Sequence, residues 1–363
     1  MKLFFTKEGK KGINNSLFLK FLALLAFGLL SFNSMAANRF AVATGSWNGA
    51  IWATTSGGVA GSAATPTAAD DVFINMGVTV TVNVTANCLS LTVGTTANGT
   101  GATINVSAVN FTITNSITIP RGGKNTNTLG VGTGNVTAGS VSFTNGGNNV
   151  RHLITISTGT LDVLGNVTQT GSTGSASFTF TGAGLLEVGG TFLNTGNGTL
   201  TTATMCRVEF DAAGAQNIGD FTYENVILSG SGAKTLTGAT INRTLFLGGT
   251  ATTTGTTPTY GASAILEYNG TAVQTSSNVE FPNSMPADVT INNSNGVTLN
   301  AAKTVAGTLT MTLGTLNMAN TNLSVGSLTG SSNITHSSGT AGNRTFTIGT
   351  DNSSPAAYSG EIS

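Results

Sequence analysis

From Val72 to Ser363 the chain alternates apolar and polar residues at a period of two. "VTVTVNV", residues 78–84, is the plainest case. Val78, Val80, Val82 and Val84 mark one side, and Thr79, Thr81 and Asn83 the other. That period puts successive side chains on opposite faces of a strand. "LSLTV", "ATINVSAVNFTITNSITI", "SVSFTN", "HLITIS", "TLDVLGNV", "SFTFTG", "LLEVGGTFLN" and "VEFDA" follow, divided by turns of Gly, Asn, Ser and Thr. No window sustains a 3.6 period, so no helix is available to cross over a flat parallel sheet. The six prolines leave the hydrogen-bond ladders almost uninterrupted.

The polar side of these strands is nearly uncharged. Charged residues are 8% of the chain, against about 25% in ordinary soluble domains. Such a composition raises the question of disorder, which goes with low hydrophobicity and high net charge. Here 39% of residues are hydrophobic and the net charge is zero, so the chain can bury a core provided it forms sheet.

A repeat supplies the architecture. "RVEFDAAGAQNIGDFTYENVILSGSGAKTLTGATINRTLFLGGT" (207–250) aligns with "ILEYNGTAVQTSSNVEFPNSMPADVTINNSNGVTLNAAKTVAGTLTMTLGT" (265–315). Glu209 matches Glu267, Gln216 matches Gln274, Leu236 matches Leu299 and Leu245 matches Leu309. The offset is 58 early and 63–64 later, which places a small insertion in the second copy. Short strands that repeat without helices stack as a solenoid. The fold expected is an all-β, right-handed parallel β-helix. Val78, Val80 and Val82, and Leu309, Met311 and Leu313, are its expected inward residues. Coils of roughly 20–25 residues would give some 12–15 turns and a rod of about 60–70 Å. Residues 37–71, with Trp47 and Trp52, are the expected N-terminal cap and 72–363 the solenoid. "TDNSSPAAYSGEIS" at the C-terminus has no cap pattern, and the natural chain is expected to continue beyond it.

Residues 1–36 read differently. Lys7, Lys10, Lys11 and Lys20 accompany an apolar run from Leu17 to Leu30, and Ser34-Met35-Ala36-Ala37 offers small residues for cleavage. This is the pattern of a secretory signal peptide, with an apolar core too short to span a membrane. No later segment approaches about 20 continuous apolar residues, so no transmembrane helix is expected. Removing 1–36 takes five Lys and Glu8, leaving 9 cationic against 13 acidic residues, a net charge of −4. That is not a nucleic-acid footprint. Cys88 and Cys206 lie far apart and at no metal-type spacing; they read as small buried hydrophobes.

The segment "GSWNGAIWATTSGGVAGSAATPTAADDVFINMGVTVTV", residues 45–82, resembles the opening of G8-type and related β-helix modules. The resemblance rests on Trp47, Trp52, Pro66, Asp70-Asp71, Val72 to Ile74, Gly77 and Val78 to Val82. "NVILSGSGAKTLTGATINRTLFLGG" resembles the repeats of large secreted surface proteins of Bacteroidota, many of them exported by the type IX route. The resemblance implies an extracellular, cell-surface structural or adhesive role and supplies no catalytic residues.

Candidate chemistry is sparse. Asp162, Glu187, Glu209 and Glu267 sit singly among apolar neighbours and should point outward. Glu209, Asp211, Asp220 and Glu224 form the densest acidic group in sequence, a set that could offer oxygen ligands to Ca²⁺. Asp70 is expected to make an Asx-type turn before the first strand. Trp47, Tyr223, Tyr260 and Tyr268 are candidates for stacking on a saccharide. His152 and His336 have no partner at ligand or triad spacing. T-x-T pairs at 79–81, 112–114, 179–181, 235–237, 308–310, 310–312 and 345–347 suggest a water-ordering, ice-binding face, but their spacing along the sequence is irregular.

No residue is assigned as catalytic, cofactor-binding or metal-ligating, and no cofactor is expected. The leading expectation is a secreted, non-catalytic structural or adhesive rod. Its expected partners are extracellular polysaccharide or glycoprotein and further copies of itself. The alternative is a carbohydrate-binding or carbohydrate-active β-helix, which three or more carboxylates and basic residues gathered on one face would favour.

Overall fold

The computed structural model describes residues 36–94, 100–121, 125–146, 152–171, 176–193, 196, 198–336, 344–351 and 357–363. The expected signal peptide, 1–36, lies outside them apart from Ala36. The described residues are all strand, turn and loop, wound as a parallel β-solenoid of about 11 turns. At about 4.8 Å per turn its stacked length is roughly 53 Å, shorter than the sequence estimate.

Each coil contributes to three faces. On the first face one register runs without a break through Phe111, Val136, Leu161, Leu186, Val208, Val226, Leu245, Leu266, Val289, Leu309 and Leu328. All are buried. This column is the alternation seen in the sequence, repeated once per coil until it becomes a core. A second inward column starts at Val80 and passes through Ile104, Leu129, Ile154 and Phe178 to Leu200 on the third face. Val72, Leu91, Ile117, Val141 and Val167 line the second face. Leu313 does not follow its neighbours inward. The register slips between Ile291 and Asn292, whose partner is Leu313; that irregularity breaks the alternation and leaves Leu313 49% exposed.

Coil size changes along the molecule. First-face partners Asn110, Asn135, Thr160 and Leu185 are spaced by 25 residues. Arg207, Asn225, Thr244, Ile265 and Asp288 then follow at 22, 18, 19, 21 and 23. The tight corners need special backbone. Gly230 (φ 65°) and Gly249 (φ 53°) occupy the same corner in successive coils. A Cβ on either would run into a backbone carbonyl of the coil beneath, Asp211 or Gly230 respectively.

The N-terminal end is closed by an antiparallel pair. Strand Asn38–Ala41 runs parallel to Asp71–Ile74 on one side. On its other side Phe40 and Ala41 pair with Ala53 and Trp52 in the opposite direction. This covers what would otherwise be an open sheet edge. Trp47 and Trp52 are buried, edge to face at 5.0 Å, with Phe111 4.9 Å from Trp47. The Trp52 indole donates to the Trp47 carbonyl at 2.7 Å.

Candidate functional site

The outward columns of the first face carry the most chemistry. In the strands Thr160–Val163, Leu185–Val188 and Arg207–Phe210, inward Leu/Val/Phe positions force Asp162, Glu187 and Glu209 outward. Register then makes Asp162, Glu187 and Glu209 direct neighbours on three successive coils, about 4.8 Å apart at the backbone. The expectation that each points outward holds; their isolation does not, because residues 22 and 25 apart in sequence become adjacent in a ladder. Asp211 adds its field to the row, while Asp220 and Glu224 lie elsewhere: Asp220 acts on Tyr223 and Glu224 on Cys206.

The row is electrostatically uneven. Partial burial, and then Asp211, raise the Asp162 pKa from its ordinary value. Glu187 is raised by burial, then by Glu209, Asp162 and Asp211, with Arg207 pulling the other way. Glu209 accepts a hydrogen bond from Ser229 Oγ at 2.6 Å. Further along, Glu267 Oε1 accepts from Asn292 Nδ2 at 2.9 Å. Such a row can accept hydrogen bonds from hydroxyls. Among the described residues no three His, Cys, Asp or Glu are placed to hold a metal ion.

Other residues singled out in the sequence have structural places. Tyr223 and Tyr268 are fully buried. Tyr223 donates to the Ile218 carbonyl and Tyr268 to Glu280 Oε1 at 2.8 Å. The Tyr260 hydroxyl is spent on the Glu280 carbonyl at 2.6 Å. Burial raises all three phenol pKa values. Tyr223, Tyr268 and Trp47 offer no free ring to a sugar, and half-buried Tyr260 has its hydroxyl engaged. Asp70 is buried and fastens its turn backward: Thr67 N and Oγ1 both donate to Oδ2 at 2.8 Å, and Arg39 Nη2 stands 3.6 Å from Oδ1. Asp71 takes a hydrogen bond from Ser90. Cys88 and Cys206 are free and buried, and burial raises both thiol pKa values. His152 is a core residue, its Nε2 2.9 Å from the Thr144 carbonyl and its ring 5.7 Å from Phe143. His336 is exposed, with its backbone N bonded to the Ser363 carbonyl.

Threonines irregular in sequence do line up on the third face. Thr79, Thr103, Thr128, Leu153, Ser177 and Thr199 form one outward column, and Thr81, Asn105, Gly130, Thr155, Thr179 and Thr201 the next. Leu153, Asn105 and Gly130 interrupt the hydroxyl array.

The sequence reading missed a buried polar cluster. Glu280 is 1% exposed and accepts hydrogen bonds from Tyr268, Thr253 and Ser277. Lys303 Nζ donates to Phe281 O and to Asn278 Oδ1, and lies over the Phe281 ring. The signal was present. The repeat offset grows from 58 to 63–64 between Gln274 and Leu299, the interval that contains Ser277, Asn278, Glu280 and Phe281.

No family model, curated protein or solved structure matches this chain.

Proposed function

We propose that this chain is an exported, cell-surface rod that acts as a spacer and adheres through its sides to extracellular polysaccharide or glycoprotein, without turnover. The observation that carries this reading is the outward register of the first face. Thr112 and Thr137 lead into the carboxylate row; Ile227 and Phe246 interrupt the column after Glu209, and Glu267, Thr290, Thr310 and Thr329 resume it. Two stretches of hydroxyls and carboxylates at the coil spacing, with an apolar break between them, suit a polyol polymer, which is rich in hydrogen-bond donors and acceptors and has apolar ring faces. The pattern of residues 1–36 and the resemblance to Bacteroidota surface proteins support export. Low charge also favours side-by-side association of rods.

The test is binding of the purified chain to an array of polysaccharides and glycoproteins, with product release followed on the same glycans. Binding without product is expected. Silence across the array would remove the adhesive half of the proposal. Recovery of the protein only from the cytosol, with residues 1–36 uncleaved, would remove export.

One observation favours a carbohydrate-active reading as the alternative. Glu187 and Glu209 are carboxylates on adjacent rungs, and burial with the neighbouring carboxylates raises the Glu187 pKa. A pair of carboxylates, one with a raised pKa as general acid, serves glycoside hydrolysis. Product release that disappears in both Glu187→Gln and Glu209→Gln would replace the rod reading with this one.

A further inference from the structure

Beside the carboxylate row, at its C-terminal side, the first face is hollowed. The hollow has a volume of about 410 Å³ and is lined by Ala183, Met205, Arg207, Asn225, Arg243, Thr244 and Phe246. We infer that it binds the acidic group of a saccharide, a uronate carboxylate or a sulfate ester, between Arg207 and Arg243. The inference rests on the glycan-facing reading above and gives that reading a ligand class.

Several independent features converge on the place. Both arginines are exposed, and among the described residues neither belongs to an ion pair, since that between Arg39 and Asp70 stands alone. Arg207 is close enough to Glu187 to act on it electrostatically, yet its guanidinium remains available for a ligand. Arg243 is placed by an irregularity. Partners Tyr223 and Asn225 face Ile241 and Thr244, so Asn242 and Arg243 together oppose Glu224. Such a bulge re-aims a side chain out of the normal alternation. Met205 closes the hollow in a left-handed conformation (φ 67°) with its side chain 48% exposed. A non-glycine residue held there costs conformational energy and is characteristic of functional sites.

The floor is rigid. Asn225 is buried and its Nδ2 donates to Cys206 O at 2.9 Å; Arg207 N donates to Gly184 O at 3.0 Å. The recognition chemistry is also complementary. Each guanidinium presents a planar fork that matches carboxylate or sulfate oxygens in pairs. Phe246 and Met205 supply an apolar surface for the face of a sugar ring. A neutral glycan would use the apolar surface and leave the forks idle. A small inorganic anion would use the forks and leave the surface bare.

The experiment is titration calorimetry of the purified chain with oligogalacturonate, a sulfated oligosaccharide, a neutral oligosaccharide of equal length and inorganic sulfate. The variants are Arg207→Ala/Arg243→Ala, Arg207→Lys/Arg243→Lys and, as a charge control, Arg344→Ala. Acidic saccharide should bind more tightly than the neutral one and than sulfate. The double alanine variant should lose affinity on the order of ten- to a hundred-fold, the double lysine variant should recover part of it, and Arg344→Ala should leave it intact. Circular dichroism should be the same for all. Whichever of uronate and sulfate binds more tightly identifies the source of the anion. Equal affinity of wild type and double alanine variant for acidic saccharide overturns the site while leaving the glycan reading in place. Preference for the neutral saccharide overturns the ligand class. Failure to bind any saccharide overturns both.

Discussion

The 25-residue coils between Asn110 and Leu185 and the 18- to 23-residue coils after Arg207 solve one packing problem in two ways. A column of rings fills the wider coils and continues into the first of the tighter ones. Phe143, Phe178, Phe192, Phe210 and Tyr223 touch in succession at 5.6–6.1 Å, mostly edge to face. The tighter coils add buried polar side chains to aliphatic residues and to further buried rings such as Tyr268 and Phe281. Of the fifteen buried polar residues described, eleven lie beyond Cys206, so polar burial belongs mainly to the tight coils.

What those side chains touch explains why. Gln216 Nε2 donates to Val188 O and Gly190 O, Lys234 Nζ to Ala212 O, Gln274 Nε2 to Leu247 O, Asn293 Nδ2 to Ala272 O and Lys303 Nζ to Phe281 O. Each satisfies a carbonyl of an earlier stretch of chain, at a corner or strand end. A shorter coil has less backbone with which to pair its neighbour, and a buried unpaired carbonyl is costly. Amide and ammonium groups supply the missing donors. Asn127 and His152 do the same in the wide coils, to Pro120 O and Thr144 O, but there the backbone ladder needs less help.

The contrast breaks most heavily at the ring column. Phe178→Ala empties its middle and should cost about 3–5 kcal/mol, measured by denaturant unfolding. Hydrogen exchange should quicken from 127 to 210 while 265–330 keeps its protection, as nearest-neighbour coupling in a solenoid requires. An equal loss of protection at both ends would mean that the two kinds of coil unfold as one. Glu280→Ala tests the other filling. It leaves the buried Tyr268 hydroxyl without its acceptor and removes the partner shared by Thr253 and Ser277, and should cost about 2–4 kcal/mol, with quickened exchange confined to the tight coils.

The repeat provides a sharper pair. Ala212 N donates to Gln216 Oε1 at 3.3 Å, and Gly270 N to Gln274 Oε1 at 2.9 Å. The matched glutamines therefore clamp the same corner, and Gln216→Ala and Gln274→Ala should each cost about 1–3 kcal/mol. A cost at one corner with none at the other would end the equivalence.

The smallest effect is one of pH. Burial lowers the Lys303 pKa from 10.5 to about 8, with Glu280 opposing. Between those two values the unfolded chain holds a proton that the folded one has released. Unfolding then takes up protons, so the Lys303 contribution to stability rises with pH through that window and is level below it. Subtracting the profile of Lys303→Met from that of the wild type should isolate the rise; a flat difference would mean that Lys303 keeps its proton.

Much of this was written in period-two alternation and in the repeat. Fold class, inward columns and the matching of Gln216 with Gln274 all follow from spacing within a strand or between copies. What stayed hidden depended on the coil step. Asp162, Glu187 and Glu209 become neighbours only once steps of 25 and 22 are known, and the Arg243 bulge needs a register slip of one residue. The tyrosines mislead for another reason: a phenol reads as a surface group until its buried acceptor, Glu280 in the case of Tyr268, is found.

The ladder bonds of this solenoid run along its length, and that decides how it would behave as a tether. Tension applied between its ends loads one rung at a time, so the rod should peel rather than shear. Each released coil would free about 85 Å of chain where the step is 25 residues and about 60 Å where it is 18. Pulled in a force spectrometer, the molecule should extend in a staircase with two tread lengths. The antiparallel clasp of Trp52 and Ala53 on Asn38–Ala41 would hold the far end of that staircase shut.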